Sequence, residues 1–373
     1  MNNTALAENI AQAKPAVKSN RLGYLDWTRG IGAAIMLQGH VFHAFTNKDL
    51  RQDSPYILSQ FIGGMPPAIF LFLTGITLAF LMDSSERKGL STRNRITTGL
   101  SRAAYLFALA FAFRVQLFIF ALPSSFDRWS DLLRVDILNC MGFAIAAVSI
   151  MSVFSTADRI RHCAILGLGI AVASPIISSL DWSGVPPLVR MYIVPDYNFF
   201  SFFPWGSFLA FGVSAGSIIR VARGEHVERL MQWGALAGFG LIVGGQYFSD
   251  LPYSLYSKSD FWLNSPGLTL IKLGVILLML SFAYVWHTYV VKENWSWVCQ
   301  IGTTSLLVYW VHTELVYGRW FWMWKENLSV PQTVACTIVV FLLMIGLSTI
   351  KSRWNQVRDS IPFLQRRLQP EPE

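Results

Sequence analysis

Charge is scarce in this chain of 373 residues: Asp, Glu, Lys and Arg make up only 14% of it, against 53% hydrophobic residues and a mean hydropathy of +0.42. A soluble domain of this length needs far more charge to cover its surface, so the composition excludes one and fits a polytopic membrane protein. Cysteine is nearly absent as well. Cys140, Cys163, Cys299 and Cys336 fall within apolar stretches, form no CxxC pair and have no histidine at metal-ligand spacing. Neither a disulfide framework nor a metal is expected, and the thiols read as small buried apolar groups. Residues 1–20 lack the apolar core and small-residue cleavage site of a secretory signal, so the first apolar stretch reads as an uncleaved anchor.

Apolar length is what the chain has in abundance. Windows of about 20 residues give ten spans, at 28–45, 57–82, 100–121, 136–155, 162–180, 199–220, 229–249, 266–287, 296–318 and 331–350. An even number places both termini on one side. With that arrangement, 20 of the 30 Lys and Arg residues fall on the side of the termini and eight on the other, while Arg114 and Lys272 lie within spans. The acidic residues divide evenly, as expected when only basic residues report orientation. The expectation is therefore an all-α integral membrane protein with cytoplasmic termini. It comprises a disordered tail over 1–20, one helical bundle over 21–350 and a basic tail over 351–373. Topology explains the net charge of +8, and no nucleic-acid partner is expected.

One span stands apart. In DWTRGIGAAIMLQGHVFH, residues Asp26, Arg29, Ala33, Met36, His40 and His43 fall within about a third of a helix circumference, and the rest is apolar apart from Gln38. Ionisable groups in a membrane-length helix face protein or a water-filled cavity rather than lipid. The helix thus has a chemical face and a lipid or packing face. Arg29 falls at the cytoplasmic boundary, where an ion pair with Asp26 or snorkelling accounts for it. His40 lies roughly 16 Å further along the axis, too deep to snorkel.

Other polar residues gather at the same depth. Arg114 sits in the outer half of 100–121, and Arg134, Asp136 and Asn139 enter the next span from outside. Lys272 lies near the outer surface, where snorkelling explains it. Tyr309, His312 and Glu314 fall in the outer half of 296–318, with His312 and Glu314 on different helix faces. In span 57–82, Gly63, Gly64, Pro66 and Pro67 predict a kink or a close-packing seam. The basic loop DSSERKGLSTRNR fits a topology determinant, an anionic-lipid dock or a phosphate site. The long loop DWSGVPPLVRMYIVPDYN is expected to cover the outer face.

A polar layer in one half above a dry stem suggests a chamber open to the outside. A histidine there can take a proton from an amine or hydroxyl as it attacks a carbonyl, or attack the carbonyl itself to give an acyl-histidine. The structural alternative is a histidine satisfied by a neighbouring helix. A transporter or flippase binding a solute in the same layer is the other functional alternative. It predicts an inward-facing polar half and paired repeats, and neither is visible in the sequence.

Arg29, ten residues and His40 resemble the R-x10-H signature of transmembrane acyltransferases. GYLDWTRGIGAAIMLQGH resembles the first helix of their heparan-alpha-glucosaminide N-acetyltransferase-like branch, which is related to acyltransferase 3 proteins. The likeness extends to FLFLTG, RVDILNCMG, FFPWGSFLAFG and IGTTSLLVYWVHTELVYG. It implies transfer of an acetyl or other acyl group from cytoplasmic acyl-CoA, with acetyl-CoA as donor, to an extracytoplasmic carbohydrate acceptor, with no metal. On that likeness His40 is the catalytic histidine, as base or acyl carrier, and Arg29 with Asp26 organises the CoA entrance. Arg114 and His312 would polarise the thioester carbonyl or orient the acceptor. His43, Arg134, Asp136, Asn139, Tyr309 and Glu314 are acceptor-side candidates. The animal enzyme of this branch has a large lumenal domain ahead of its bundle that has no counterpart here, so heparan glucosamine is not the acceptor expected. The bilayer is the implied surrounding, the inner membrane if the chain is bacterial, and a homodimer is compatible with the sequence although no residue argues for it.

Overall fold

The helix with the polar face forms as one unbroken element, α1 (Gly23–Phe45), and 15 of its 23 residues are buried. The computed structural model describes residues 22–120, 132–222, 226–292 and 294–354. Among them the chain is helical, with no β-strand. The tail expected over 1–20, most of the loop at 124–134 and most of the tail at 351–373 lie outside the described residues.

The span expected at 57–82 is two helices, α2 (Ser54–Gly63) and α3 (Pro66–Arg87), separated at Gly64 and Met65. Paired prolines have no N–H to continue an incoming helix but suit the first turn of a new one, so the chain stops at the glycines and restarts. The chain continues through α4 (Thr92–Phe120), α5 (Ile137–Val148), α6 (Thr156–Ser179), the short α7 (Pro187–Ile193), α8 (Phe202–Val221), α9 (Val227–Ser249) and α10 (Pro266–Val285). A π-helical turn carries α10 on to Val291. The span expected at 296–318 is also broken, into α11 (Trp297–Thr303) and α12 (Ser305–Tyr317), and α13 (Val330–Ser352) completes the bundle.

Among the described residues, six helical stretches are long and apolar enough to cross a membrane: Ser54–Arg87, Thr92–Phe120, Thr156–Ser179, Phe202–Val221, Pro266–Val291 and Val330–Ser352. The remaining four expected spans all form helices, but composition or length holds them back. Asp26, Arg29 and the histidines lower α1, α5 has only 12 residues, α9 is rich in glycine, and the break at Thr304 divides α11 from α12.

Two close crossings set the bundle. Gly75 of α3 faces Gly212 of α8, where a Cβ on either would strike the backbone of the other helix. Gly30 of α1 and Gly302 of α11 meet in the same way, against the carbonyls of Val298 and Asp26. Small residues let helix backbones approach where lipid gives no hydrophobic drive to association. The core around α3 and α8 includes Ile69, Phe72, Leu73, Ile76, Phe208, Leu209 and Val213. A second cluster surrounds the far half of α1, joining Ala33, Leu37, Val41 and Phe45 to Val308, Val316, Val340 and Met344. Ala33 lies on the same side of α1 as His40, so that side packs as well as carrying the polar groups.

The basic loop after α3 is tied down by its own acids. Asp83 pairs with Arg87 at 2.6 Å and Arg220 at 3.4 Å, and Glu86 with buried Arg159 at 3.1 Å and Arg95 at 3.9 Å. Thr156 donates to both carboxylates. This network clamps α3, α4, α6 and α8 together, with Arg95 enclosed and Arg87 exposed.

Candidate functional site

His40 projects from the last third of α1 toward α12, where its Nδ1 lies 2.9 Å from Nε2 of His312. The contact follows from local sequence: Gly39, beside His40, has no side chain, and its Cα packs against Gly63 at the end of α2. Gln60 donates to the carbonyl of Gly39 at 3.1 Å, and Gln38 to Ser59 at 2.5 Å. These bonds fix the back of α1 and aim His40 the other way. His312 is fully buried, and its second ring nitrogen, Nδ1, lies 2.6 Å from the carbonyl of Val308, one turn earlier.

Aromatic rings surround the pair. Tyr317 stands edge-on to His40 with centroids 5.3 Å apart, and its hydroxyl lies 3.3 Å from Nδ1 of His43. Tyr309 is edge-on to His312 at 5.9 Å. His43 and Tyr317 are exposed and stand beside His40. The chain next to His43 is tied by Glu326, which accepts from Lys48 at 2.8 Å and Arg51 at 3.0 Å, while Arg51 also donates to the carbonyl of His43. The Lys48 hydrogen bond, reinforced by the two positive charges, holds the Glu326 carboxyl below the usual carboxylate range.

Arg114 and Asp136 form a neighbouring pair, 3.2 Å apart, with Asp136 buried and Arg114 partly so. Asp136 also caps α5, accepting from the backbone of Leu138 and Asn139, with the Asn139 side chain returning to its N–H. Asn139 in turn donates to the hydroxyl of Tyr192 on α7, so the loop expected over the outer face packs here. Arg134 points away and donates to the carbonyl of Asn198. Phe113 joins this group to the histidines, packing on Tyr309 and Trp310 at 5.2 Å each. Gln116 bridges Trp310 and Glu314, and Trp320 also donates to Glu314.

The structure therefore brings together His40, His43, Tyr309 and His312, with Arg114, Asp136, Asn139 and Glu314 alongside. Arg29 stays at the far end of α1, 3.0 Å from Asp26. Lys272 does not snorkel. It donates to the carbonyl of Gly64 at 3.3 Å and lies 4.8 Å from the Trp205 ring centroid, because the break before Pro66 frees a backbone acceptor that needs a partner. Tyr317, Gln60 and Gln116 were missed by sequence reasoning. Tyrosine and glutamine are unremarkable within spans, and Tyr317 is five residues, about 140° of helix turn, from His312, so spacing gave no signal for it. Among the described residues no group of three or more His, Cys, Asp and Glu side chains is placed to hold a metal.

Long apolar helices with ionisable side chains enclosed between them make this an integral, multi-pass membrane protein. The chain belongs to the heparan-alpha-glucosaminide N-acetyltransferase catalytic-domain family, whose profile matches residues 21–246, well over half the sequence. No curated protein matches the chain. The family points to a membrane acetyltransferase. Its matched stretch takes in Asp26, Arg29, His40, His43, Arg114, Arg134, Asp136 and Asn139. Tyr309, His312 and Glu314 lie beyond it.

Proposed function

We propose that this protein transfers an acetyl or other acyl group from cytoplasmic acyl-CoA, with acetyl-CoA as the donor, to an amino or hydroxyl group of an extracytoplasmic carbohydrate. In this reading residues 21–350 form one ten-span bundle with both termini cytoplasmic. The observation that carries the reading is the contact of His40 with His312, which holds an ionisable ring inside a bundle of acetyltransferase family.

His40 takes the proton of the acceptor as its oxygen or nitrogen attacks the thioester carbonyl. The new C–O or C–N bond forms, the C–S bond breaks, and the proton passes from His40 to the departing CoA thiolate. An acyl-histidine route uses the same residue: the ring nitrogen attacks the thioester, the C–S bond breaks and CoA leaves as its thiol with the ring N–H proton, and the acceptor then displaces the ring and returns a proton to it. Arg29 and Asp26 organise the CoA entrance at the opposite end of α1, roughly 16 Å away along the helix. Arg114, held by Asp136, and the side chains of His43, Asn139, Tyr309 and Glu314 serve the acceptor side. Fixed donors there stabilise charge developing on the carbonyl oxygen where water is excluded.

The test incubates purified protein in nanodiscs with radiolabelled acetyl-CoA and a panel of amino sugars and glycans. Wild type is expected to label an acceptor, and a folded His40→Ala protein to lose at least about 100-fold in rate. Equal transfer by the two would overturn the role of His40. Failure of the wild type to bind any acyl-CoA in a thermal-shift assay would overturn the enzyme reading and favour a solute carrier.

A further inference from the structure

We propose that His312 is a positioning residue that fixes His40 as the Nδ1–H tautomer, so that Nε2 of His40 is the nitrogen that works on substrate. The inference rests on the catalytic reading of His40 and assigns its atoms.

The direction of the bond is set by an acceptor with only one role open to it. The carbonyl oxygen of Val308 can only accept, so the 2.6 Å contact requires a proton on Nδ1 of His312. In a neutral ring the other nitrogen, Nε2, is then a lone pair. That lone pair faces Nδ1 of His40 at 2.9 Å, so the hydrogen of this bond belongs to His40. Nδ1 of His40 is therefore its protonated nitrogen, and Nε2 is its base.

Two further contacts support the direction. Thr313 is the other polar group beside Nε2 of His312, at 3.5 Å, but its hydroxyl donates to the carbonyl of Tyr309 at 2.7 Å. Its single proton is committed, so it does not displace His40 as donor. The two rings also meet in a favourable geometry. Their planes are 21° from parallel and their centroids 5.1 Å apart. A nitrogen separation of 2.9 Å under that centroid distance puts both nitrogens near the line of centres, so the rings meet edge to edge in nearly one plane rather than face to face.

The consequence for the reaction is specific. When Nε2 of His40 receives the acceptor proton, the ring becomes cationic while Nδ1–H still points at a neutral lone pair. The Val308 carbonyl holds His312 in orientation without taking a proton itself. This is the orienting task that a third group performs for the base in a hydrolytic triad, here done by a neutral imidazole. His312 has no free ring nitrogen for a substrate carbonyl, so it acts through His40.

Nitrogen-15 NMR of histidine-labelled protein in lipid bilayers tests the assignment, with His40→Ala and His312→Gln samples to identify the signals. The expected result is protonated Nδ1 and bare Nε2 on both rings. A proton on Nε2 of His40, or on both nitrogens of His312, would overturn the proposal even if His40 proves essential. Kinetics give the second readout on folded, monodisperse variants. His312→Leu removes the acceptor and should lower kcat about 100-fold or more with KM for donor and acceptor unchanged. His312→Gln, whose amide oxygen replaces the Nε2 lone pair, should recover at least tenfold of that loss. Equal losses in the two variants, or a loss confined to KM, would contradict a positioning role. Full activity of His40→Ala would instead remove the catalytic reading, and the tautomer would still be decided by NMR.

Discussion

At the residue scale, the polar groups at the His40 end of α1 are held in pairs, and each pair predicts a different response. Arg114→Met leaves the buried carboxylate of Asp136 without its cation and should cost about 3–5 kcal/mol, whereas pairing it with Asp136→Asn should recover much of the loss. Thermal unfolding of the single and double variants in detergent checks this. Glu326 differs because it is exposed. Its carboxyl is held low in the folded state, so its contribution is present above the ordinary carboxylate range and disappears as pH falls through the lowered value. The melting-temperature gap between wild type and Glu326→Gln should be largest near neutrality and close on acidification. The enclosure of His40 was legible in the sequence, since a histidine too deep to snorkel, on a face shared with an arginine, must be surrounded by protein or water. Its partner geometry was not. That His312 bonds the carbonyl of Val308 depends on a side-chain rotation, and residue spacing carries no information about it.

At the element scale, the breaks and crossings decide where those residues point. Gly63, Gly64 and the two prolines announced the interruption between α2 and α3, and the structure makes it both a break and a seam, with Gly63 against Gly39. The role of Lys272 was not legible. A lysine near a helix end reads as snorkelling unless the carbonyl it serves, in a helix break some 200 residues earlier, is already in view. Lys272→Met keeps the apolar stem and removes the donor to Gly64, so it should destabilise the protein by about 1–3 kcal/mol, read as a lower melting temperature. The spacing of Pro67 to Gly75 matches that of Pro204 to Gly212 and reads as a weak internal echo, but Gly75 and Gly212 are two sides of one crossing. Gly212→Leu drives a side chain into the backbone around Phe72 and should cost about 1–3 kcal/mol or more, whereas Gly169→Leu meets open space and should be nearly neutral in the same assay.

At the scale of the whole molecule, composition alone carried the class of fold, and the asymmetry of lysine and arginine carried the orientation proposed here. The number of spans was harder to read. The helix that packs most completely inside the bundle is also the one whose acid, arginine and histidines lower its hydropathy, because a surrounded helix need not be apolar toward lipid. The proposed orientation predicts that a cysteine placed at Ser91 is shielded from an impermeant thiol reagent in intact cells while one at Ser183 is labelled. The opposite pattern would invert the bundle and put Arg29 on the wrong side for a cytoplasmic donor. The central claim is more direct: the ring of His40, held by His312, performs acyl transfer. Single-turnover transfer from radiolabelled acetyl-CoA by folded wild-type and His40→Ala proteins measures it, and the predicted result is a labelled acceptor with the first and a loss of about 100-fold or more with the second. Equal rates from the two proteins would contradict it.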